Sequence, residues 1–241
     1  MSRNKIHITR YLSVFILLFL FSCDKDSDYH YPSVKLEFVT IESGDDGTLQ
    51  SLLPDKGDRL TITNDYTNSS ITPNSSKRVL SNYEIIEGTS NANIYSLQAV
   101  IVLEPKQKSE DNETEETLAK DPVSVTSIWM GRDYLNMILN VKIKGGKPHS
   151  FEVYAEEESS NEKGEKTVVL SLYHNANGDE EYYNRNAYIS IPLISLAEEN
   201  DQNIRIKFKY YTTGEDGLVV ESDKYCNKDF EGFEYIPSYS Y

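Results

Sequence analysis

The chain has 241 residues and a net charge of −15, and this charge excludes some classes of function. Without the three basic residues found before residue 23, 21 basic residues face 39 acidic ones, a net charge of −18. A surface this acidic repels phosphate backbones, so we expect no nucleic-acid partner. Solubility alone also explains such a charge.

Residues 1–22 have the features of a signal peptide. Arg3, Lys5 and Arg10 precede an apolar run at residues 14–21. A helix that crosses a bilayer needs about 20 apolar residues, so this run is too short to span a membrane. We therefore predict a segment that is removed on export.

The signal ends in a motif that resembles the bacterial lipobox. Leu20 lies three residues before Cys23 and the small Ser22 lies just before it. The resemblance implies lipidation of the Cys23 thiol, cleavage before Cys23 and acylation of the new amino terminus. Several acyl chains on one residue give stable anchoring, so the membrane is a predicted partner through Cys23. The alternative is an ordinary secretory signal with a chance cysteine. If Cys23 is lipidated, Cys226 remains as a single cysteine and no disulfide can form within the chain.

Residues 23–32 form a predicted acidic tether. Asp24, Asp26 and Asp28 follow the lipidated cysteine directly. Such a patch resembles the surface-export signal of certain Gram-negative bacteria, which implies an outer-membrane protein that faces the cell exterior. Solvation of a linker explains the same residues.

The rest of the chain reads as β-strands. Apolar residues alternate with polar ones at Val34, Leu36 and Phe38, at Leu60 and Ile62, and at Tyr95, Leu97, Ala99, Ile101 and Leu103. About five strands in so short a stretch predict a small barrel or sandwich at residues 33–104. Residues 105–120 are polar and mostly charged, and we predict an acidic linker there, the alternative being a long hairpin loop.

The alternation is stronger at residues 121–241. Each apolar face there has polar neighbours, as expected for an antiparallel β-sandwich. The clearest faces are Leu135, Met137, Leu139, Val141 and Ile143; Val168, Leu170 and Leu172; Ile189, Ile191 and Leu193; and Ile204, Ile206, Phe208 and Tyr210.

Motifs for chemistry are scarce. His149 and His174 are far apart in sequence, and with Cys226 they do not offer the ligand spacing of a zinc site, so we predict neither a metal nor a cofactor. Asn175, Asn177 and Asp179 carry oxygen ligands that suit calcium, but the same residues suit a β-turn. Acidic residues cluster in the linker and in turns, where they are solvated. We therefore predict that the protein is not an enzyme, with a hydrolase that uses paired carboxylates as the alternative.

Four aromatic residues are candidate ligand-binding positions. Trp129 and Tyr134 flank a tight turn at Gly131 and could stack on a sugar, or they could be core residues. Tyr235 and Tyr239 belong to an aromatic tail that is either an exposed binding surface or a last strand.

The chain resembles the NigD-like lipoproteins. The resemblance rests on Asp121-Pro122-Val123, Trp129, Asp133-Tyr134-Leu135-Asn136, Leu170-Ser171-Leu172-Tyr173-His174-Asn175, Gly178-Asp179 and, in the first half, Asp55-Lys56-Gly57-Asp58. It implies an all-β chain with an N-terminal OB-like five-stranded barrel and a C-terminal sandwich. It further implies core positions for Trp129 and Leu135 and strand-end hydrogen bonds for Asn136 and His174, with no catalytic residue.

Two functions follow as expectations. The first is a non-catalytic, monomeric surface lipoprotein that binds or scaffolds a glycan or an envelope or secreted protein. The second is immunity of the producing cell to a bacteriocin, which the family resemblance implies through a gene neighbourhood.

Overall fold

The computed structural model describes residues 33–107, 117–158, 166–198 and 203–238. The predicted signal peptide at residues 1–22 and the tether at residues 23–32 lie outside these ranges. The strands are β1 (Val34–Ser43), β2 (Leu49–Pro54), β3 (Leu60–Asp65), β4 (Ser76–Ile85), β5 (Asn91–Ala99), β6 (Ile101–Val102), β7 (Lys106–Gln107), β8 (Ser124–Gly131), β9 (Tyr134–Ile143), β10 (Ser150–Glu158), β11 (Lys166–Asn175), β12 (Tyr183–Pro192), β13 (Ile204–Thr213), β14 (Val219–Tyr225) and β15 (Phe233–Tyr235). A single 3₁₀ turn covers Ile194–Leu196. Within the described part of the chain, no helix has the length and apolar character needed to cross a membrane.

The first five strands close a barrel in the order β1-β2-β3-β5-β4, and β4 pairs with β1. Neighbouring strands are antiparallel except β3 and β5, which run parallel. Alternate residues point inward along each strand, as a small filled barrel requires. Its core contains Val39, Ile41, Leu49, Leu52, Leu60, Val79, Tyr83, Ala92 and Ile94. The predicted five-stranded barrel is confirmed.

The later strands form a sandwich of two sheets. One sheet has the order β6-β12-β9-β8, and the other has the order β14-β13-β11-β10-β7 with β15 beside β13. The apolar faces predicted at residues 135–143, 168–172 and 204–210 meet in one core. The sandwich is thus confirmed, although β11 and β13 run parallel. They do so because β12, which lies between them in sequence, belongs to the opposite sheet.

Three details differ from the sequence-based expectations. Val34 and Leu36 are 46% and 61% exposed, so the apolar face of β1 that we predicted lies on the outside of the barrel and Val39 and Ile41 fill its interior. Ile101–Val102 pairs with β12, and Lys106–Gln107 pairs with β10, so both segments belong to the sandwich sheets rather than to the barrel and the linker. Residues 108–116 of the predicted linker lie outside the described residues.

Candidate functional site

The barrel packs its outer surface on the outer face of the four-stranded sheet. The apolar part of this contact consists of Phe38, Leu80 and Val100 from the barrel side and Trp129, Ile138 and Tyr188 from the sheet. Strand register explains the grouping, because Phe38 lies opposite Leu80 and Ile138 lies opposite Tyr188. Each pair thus presents one patch to the other domain.

A buried polar network lies beside this apolar contact. Arg78 Nη2 donates to Asp55 Oδ2 at 2.6 Å and to Asn136 Oδ1 at 3.0 Å, and its Nε donates to Ser190 Oγ at 3.3 Å. Ser190 Oγ donates to Asn136 Oδ1 at 2.7 Å, while Asn136 Nδ2 donates to Asp55 Oδ2 at 2.8 Å. The Arg78 side chain is only 3% exposed. A buried ion pair with these additional hydrogen bonds offsets much of the cost of removing two charges from water.

Two aromatic rings enclose the Arg78 guanidinium. Its Cζ lies 4.3 Å from the ring centre of Tyr134 and 5.9 Å from that of Phe38. Cation–π contact strengthens when the cation is desolvated, as Arg78 is here. Tyr134 therefore serves the junction between the domains.

An open cleft of about 390 Å³ lies at the edge of this junction, and we call it the junction cleft. It is lined by Leu36, Glu37, Phe38, Asp55, Lys56, Leu80, Trp129, Met130, Ile138 and Tyr188. The ring of Trp129 meets Phe38 edge-on at 5.1 Å, and Tyr188 meets Phe38 in the same way at 6.1 Å. The cleft therefore has aromatic and aliphatic walls with a few polar groups, the usual composition of a ligand site.

Glu37 is the polar group of the cleft that the barrel core orients. Tyr83 OH donates to Glu37 Oε2 at 2.6 Å. Burial of Tyr83, together with this bond, raises the pKa of the Tyr83 hydroxyl, so the hydroxyl remains a proton donor to Glu37. Lys56 supplies a cation to the same cleft.

The four predicted aromatic positions have different fates. Trp129 is half-buried and lines the junction cleft, while Tyr134 contacts Arg78. Tyr235 is only 1% exposed in β15 and its hydroxyl donates to Asp133 Oδ1 at 3.1 Å, so it belongs to the sandwich core and cannot stack on a ligand. Tyr239 and the predicted lipidation site Cys23 lie outside the described residues.

The two histidines that are far apart in sequence are neighbours in the structure. Pairing of β10 with β11 brings His149 Nδ1 to 2.9 Å from His174 Nε2. His174 Nδ1 faces the Asp121 carbonyl oxygen at 3.3 Å and so carries a proton, which leaves Nε2 to accept from His149. Burial, followed by the charge of His149, lowers the pKa of His174.

Asp179 holds the adjacent turn together. Its carboxylate accepts hydrogen bonds from the backbone amides of Lys144, Gly145 and Gly146 at 2.9, 3.0 and 3.2 Å. These bonds, with that of Gly145 first, lower the pKa of Asp179 to about 2. Asn177 and Gly178 have φ of 53° and 68°, which is the turn geometry expected as the alternative to a calcium loop. Within the described residues, no group of three or more histidine, cysteine, aspartate and glutamate side chains is suited to hold a metal ion.

Comparison with known proteins places this arrangement in a family. The sequence profile of the NigD-like N-terminal OB domain matches residues 38–102, and that of the NigD-like C-terminal beta sandwich domain matches residues 105–221. A NigD-like immunity protein from Bacteroides caccae is 52% identical in sequence, and its crystal structure aligns over 87% of this chain and 100% of that chain with a TM-score of 0.73. The chain belongs to the NigD-like family.

More distant structures share the NigD-like fold. A protein of unknown function from Bacteroides vulgatus is 19% identical over 83% of this chain and 96% of its own, with a TM-score of 0.59. A protein described as a lipoprotein from Bacteroides fragilis is 12% identical over 79% and 96%, with a TM-score of 0.57. Comparison with curated proteins gives no match.

Sequence reasoning missed most of the junction of this NigD-like chain. Arg78 and Ser190 each occupy a polar position within a strand and look like ordinary outward-facing residues. Asn136 was expected to form hydrogen bonds near the end of a strand, and it does form them, but across the two domains. The one available signal was Ser190, a small polar residue between the apolar Ile189 and Ile191.

Proposed function

We propose that this NigD-like protein is a lipid-anchored protein of the cell envelope that acts by binding a partner, with the junction cleft as its binding site. The observation that carries the proposal is the place of Trp129, a half-buried ring in an apolar cleft between two domains. Clefts of about 300–1,000 Å³ at domain boundaries are common ligand sites. A sugar ring or an apolar side chain of a partner protein suits these walls.

The carboxylates of the cleft support binding rather than hydrolysis. Asp55 is paired with Arg78 and also accepts from Asn136, and Glu37 accepts from Tyr83. Hydrolysis by paired acids needs one carboxyl that gives up a proton and one that attacks or activates water. Here both carboxylates have structural hydrogen bonds that favour the charged form.

Trp129 is the lone tryptophan of the chain, so its fluorescence reports on the cleft directly. We expect a ligand from a panel of glycans and secreted proteins to quench or shift this emission. Leu36→Asp at the exposed mouth should then weaken binding at least roughly tenfold, about 1.4 kcal/mol. Tyr66→Ala, an exposed barrel residue that does not line the cleft, is the matched control. A ligand that binds Leu36→Asp with unchanged affinity would exclude the cleft as its site.

The membrane anchor belongs to the same proposal. It is supported by the signal-like residues 1–22 and the lipobox-like sequence before Cys23. Cells fed labelled palmitate should label the wild-type protein but not Cys23→Ala. Protease added to intact cells should digest the protein if it faces the exterior of the outer membrane. An unlabelled wild-type protein would refute the anchor, and protection from protease would place the protein on an inner face.

Immunity is the second candidate function, and one observation favours it. The relative from Bacteroides caccae that is 52% identical is described as an immunity protein. On this hypothesis the partner in the cleft is a secreted bacteriocin. Deletion of the gene should raise sensitivity to culture supernatants of sibling strains, and Tyr66→Ala should restore protection where Leu36→Asp does not. Unchanged sensitivity to every supernatant would end the immunity hypothesis but not the binding proposal.

A further inference from the structure

A second cleft lies in the sandwich, and its charge is opposite to that of the protein. It encloses about 870 Å³ between the first half of β12 and the start of β10. Its charged lining residues are Lys147 and Arg185, and His149 also contributes, whereas the lining contains no aspartate or glutamate. This is unexpected in a chain with a net charge of −15.

Strand register explains why Arg185 lies in this cleft. Residues two apart on a strand share a face, so Arg185 shares a face with Ala187, Ile189 and Ile191. Ile189 and Ile191 belong to the sandwich core, and Arg185 is paired with the buried Val141 of β9. An arginine thus occupies an inward-facing position at the open end of the sandwich. Moreover, β6 pairs with β12 only at Ile189 and Ser190, so the backbone edge of β12 beside Arg185 has no strand partner within the described residues.

The nearby acidic groups have other partners. Asp179 is bonded to three backbone amides, Glu180 pairs with Lys144 at 2.8 Å, and Glu181 pairs with Lys142 at 3.6 Å. Arg185 and Lys147, by contrast, form neither a hydrogen bond nor an ion pair with the described residues. Two cations are therefore available in a concave site, where low-dielectric walls strengthen their attraction for an anion.

The walls beside the cations are apolar. Val141 and Ile143 of β9 and Phe151 of β10 line the cleft, and Ile101 of β6 is 39% exposed at its edge. We propose that this cleft binds a small organic anion with an apolar body. Arg185 binds the carboxylate, sulfonate or phosphate group through its planar fork, and Lys147 adds a second charge. The apolar body lies on Val141, Ile143 and Phe151. This proposal is independent of the junction cleft.

The test uses two probes with similar aromatic bodies and different charge. The chain from residue 24 onward contains the whole buried core and is titrated with 1-anilinonaphthalene-8-sulfonate, an anion, and with N-phenyl-1-naphthylamine, which is neutral. In the double variant Arg185→Gln/Lys147→Gln we expect affinity for the sulfonate to fall roughly tenfold or more, and affinity for the neutral probe to change less than about twofold. Arg205→Gln/Lys228→Gln removes the same charge elsewhere and should leave both affinities unchanged.

Two further measurements locate and limit the site. Leu36→Asp at the junction cleft should not change sulfonate binding, and dodecanoate should displace the sulfonate where dodecanol does not. Equal loss of both probes in the double variant, or no loss, would overturn the proposal. So would co-sedimentation of the unlipidated chain with phosphatidylglycerol vesicles that depends on Arg185, because the site would then bind a membrane surface rather than a small anion.

Discussion

Arg78 of the barrel donates a hydrogen bond to Asn136 of the sandwich at 3.0 Å, across 58 residues of sequence. The same nitrogen also bonds Asp55, so removal of the guanidinium would leave a largely buried carboxylate without its cation. We expect Arg78→Met to lower the free energy of unfolding by about 3–5 kcal/mol.

Urea denaturation measures this loss. Arg59→Met is the matched control, because Arg59 is 51% exposed and pairs with Glu42 at the surface. It should cost less than about 1 kcal/mol. Equal effects of the two substitutions would mean that the network contributes little to stability.

Gly131 permits the close approach of Asp55 to Asn136. It ends β8, and a Cβ atom there would collide with Asp55 Oδ2 and Asn136 Nδ2. Gly131→Ala should therefore cost about 1–3 kcal/mol in thermal or urea unfolding. In Gly146→Ala the new Cβ would lie 3.5 Å from its nearest neighbour, an ordinary contact, so this control should be close to wild type. A neutral Gly131→Ala would show that the network shifts at no cost.

Phe38 connects the barrel to Trp129. It is 4% exposed and meets Trp129 edge-on at 5.1 Å, so Phe38→Ala should cost about 3–5 kcal/mol. Water that enters the vacated space should also shift the emission of Trp129 to longer wavelength. Tyr66→Ala removes an aromatic ring that is 59% exposed and should change neither quantity appreciably. Unchanged emission from Phe38→Ala would contradict the packing described here.

The pH dependence of stability should depend partly on His174. Its pKa in the folded protein lies below the model value of 6.5, mainly because it is buried and next because His149 is close. The folded state therefore binds protons less readily than the unfolded chain, and the contribution is complete above pH 6.5 and lost as the pH falls below it. The melting temperature of wild type should drop more between pH 7 and pH 5 than that of His174→Gln. Equal drops would count against this assignment.

The sandwich core shows how far alternation predicts a fold. Leu135, Met137 and Leu139 alternate with polar or outward-facing residues and all three are fully buried. Alternation works there because one side of the sheet meets the opposite sheet. It failed for Val34 and Leu36 because both sides of β1 meet something: the barrel interior on one side, and the junction with the sandwich near Phe38 on the other.

By itself, the sequence determined the all-β class, the two domains and the candidate anchor at Cys23, because strand periodicity and a signal motif are local properties of a chain. Only the tertiary structure decided that Arg78 meets Asn136, that His149 meets His174 and that Arg185 enters a cleft. These contacts join residues that are 58, 25 and more apart, or depend on which strand edge is left uncovered. The physical reason is that outward-facing polar residues look alike in sequence, whether they face water or another domain.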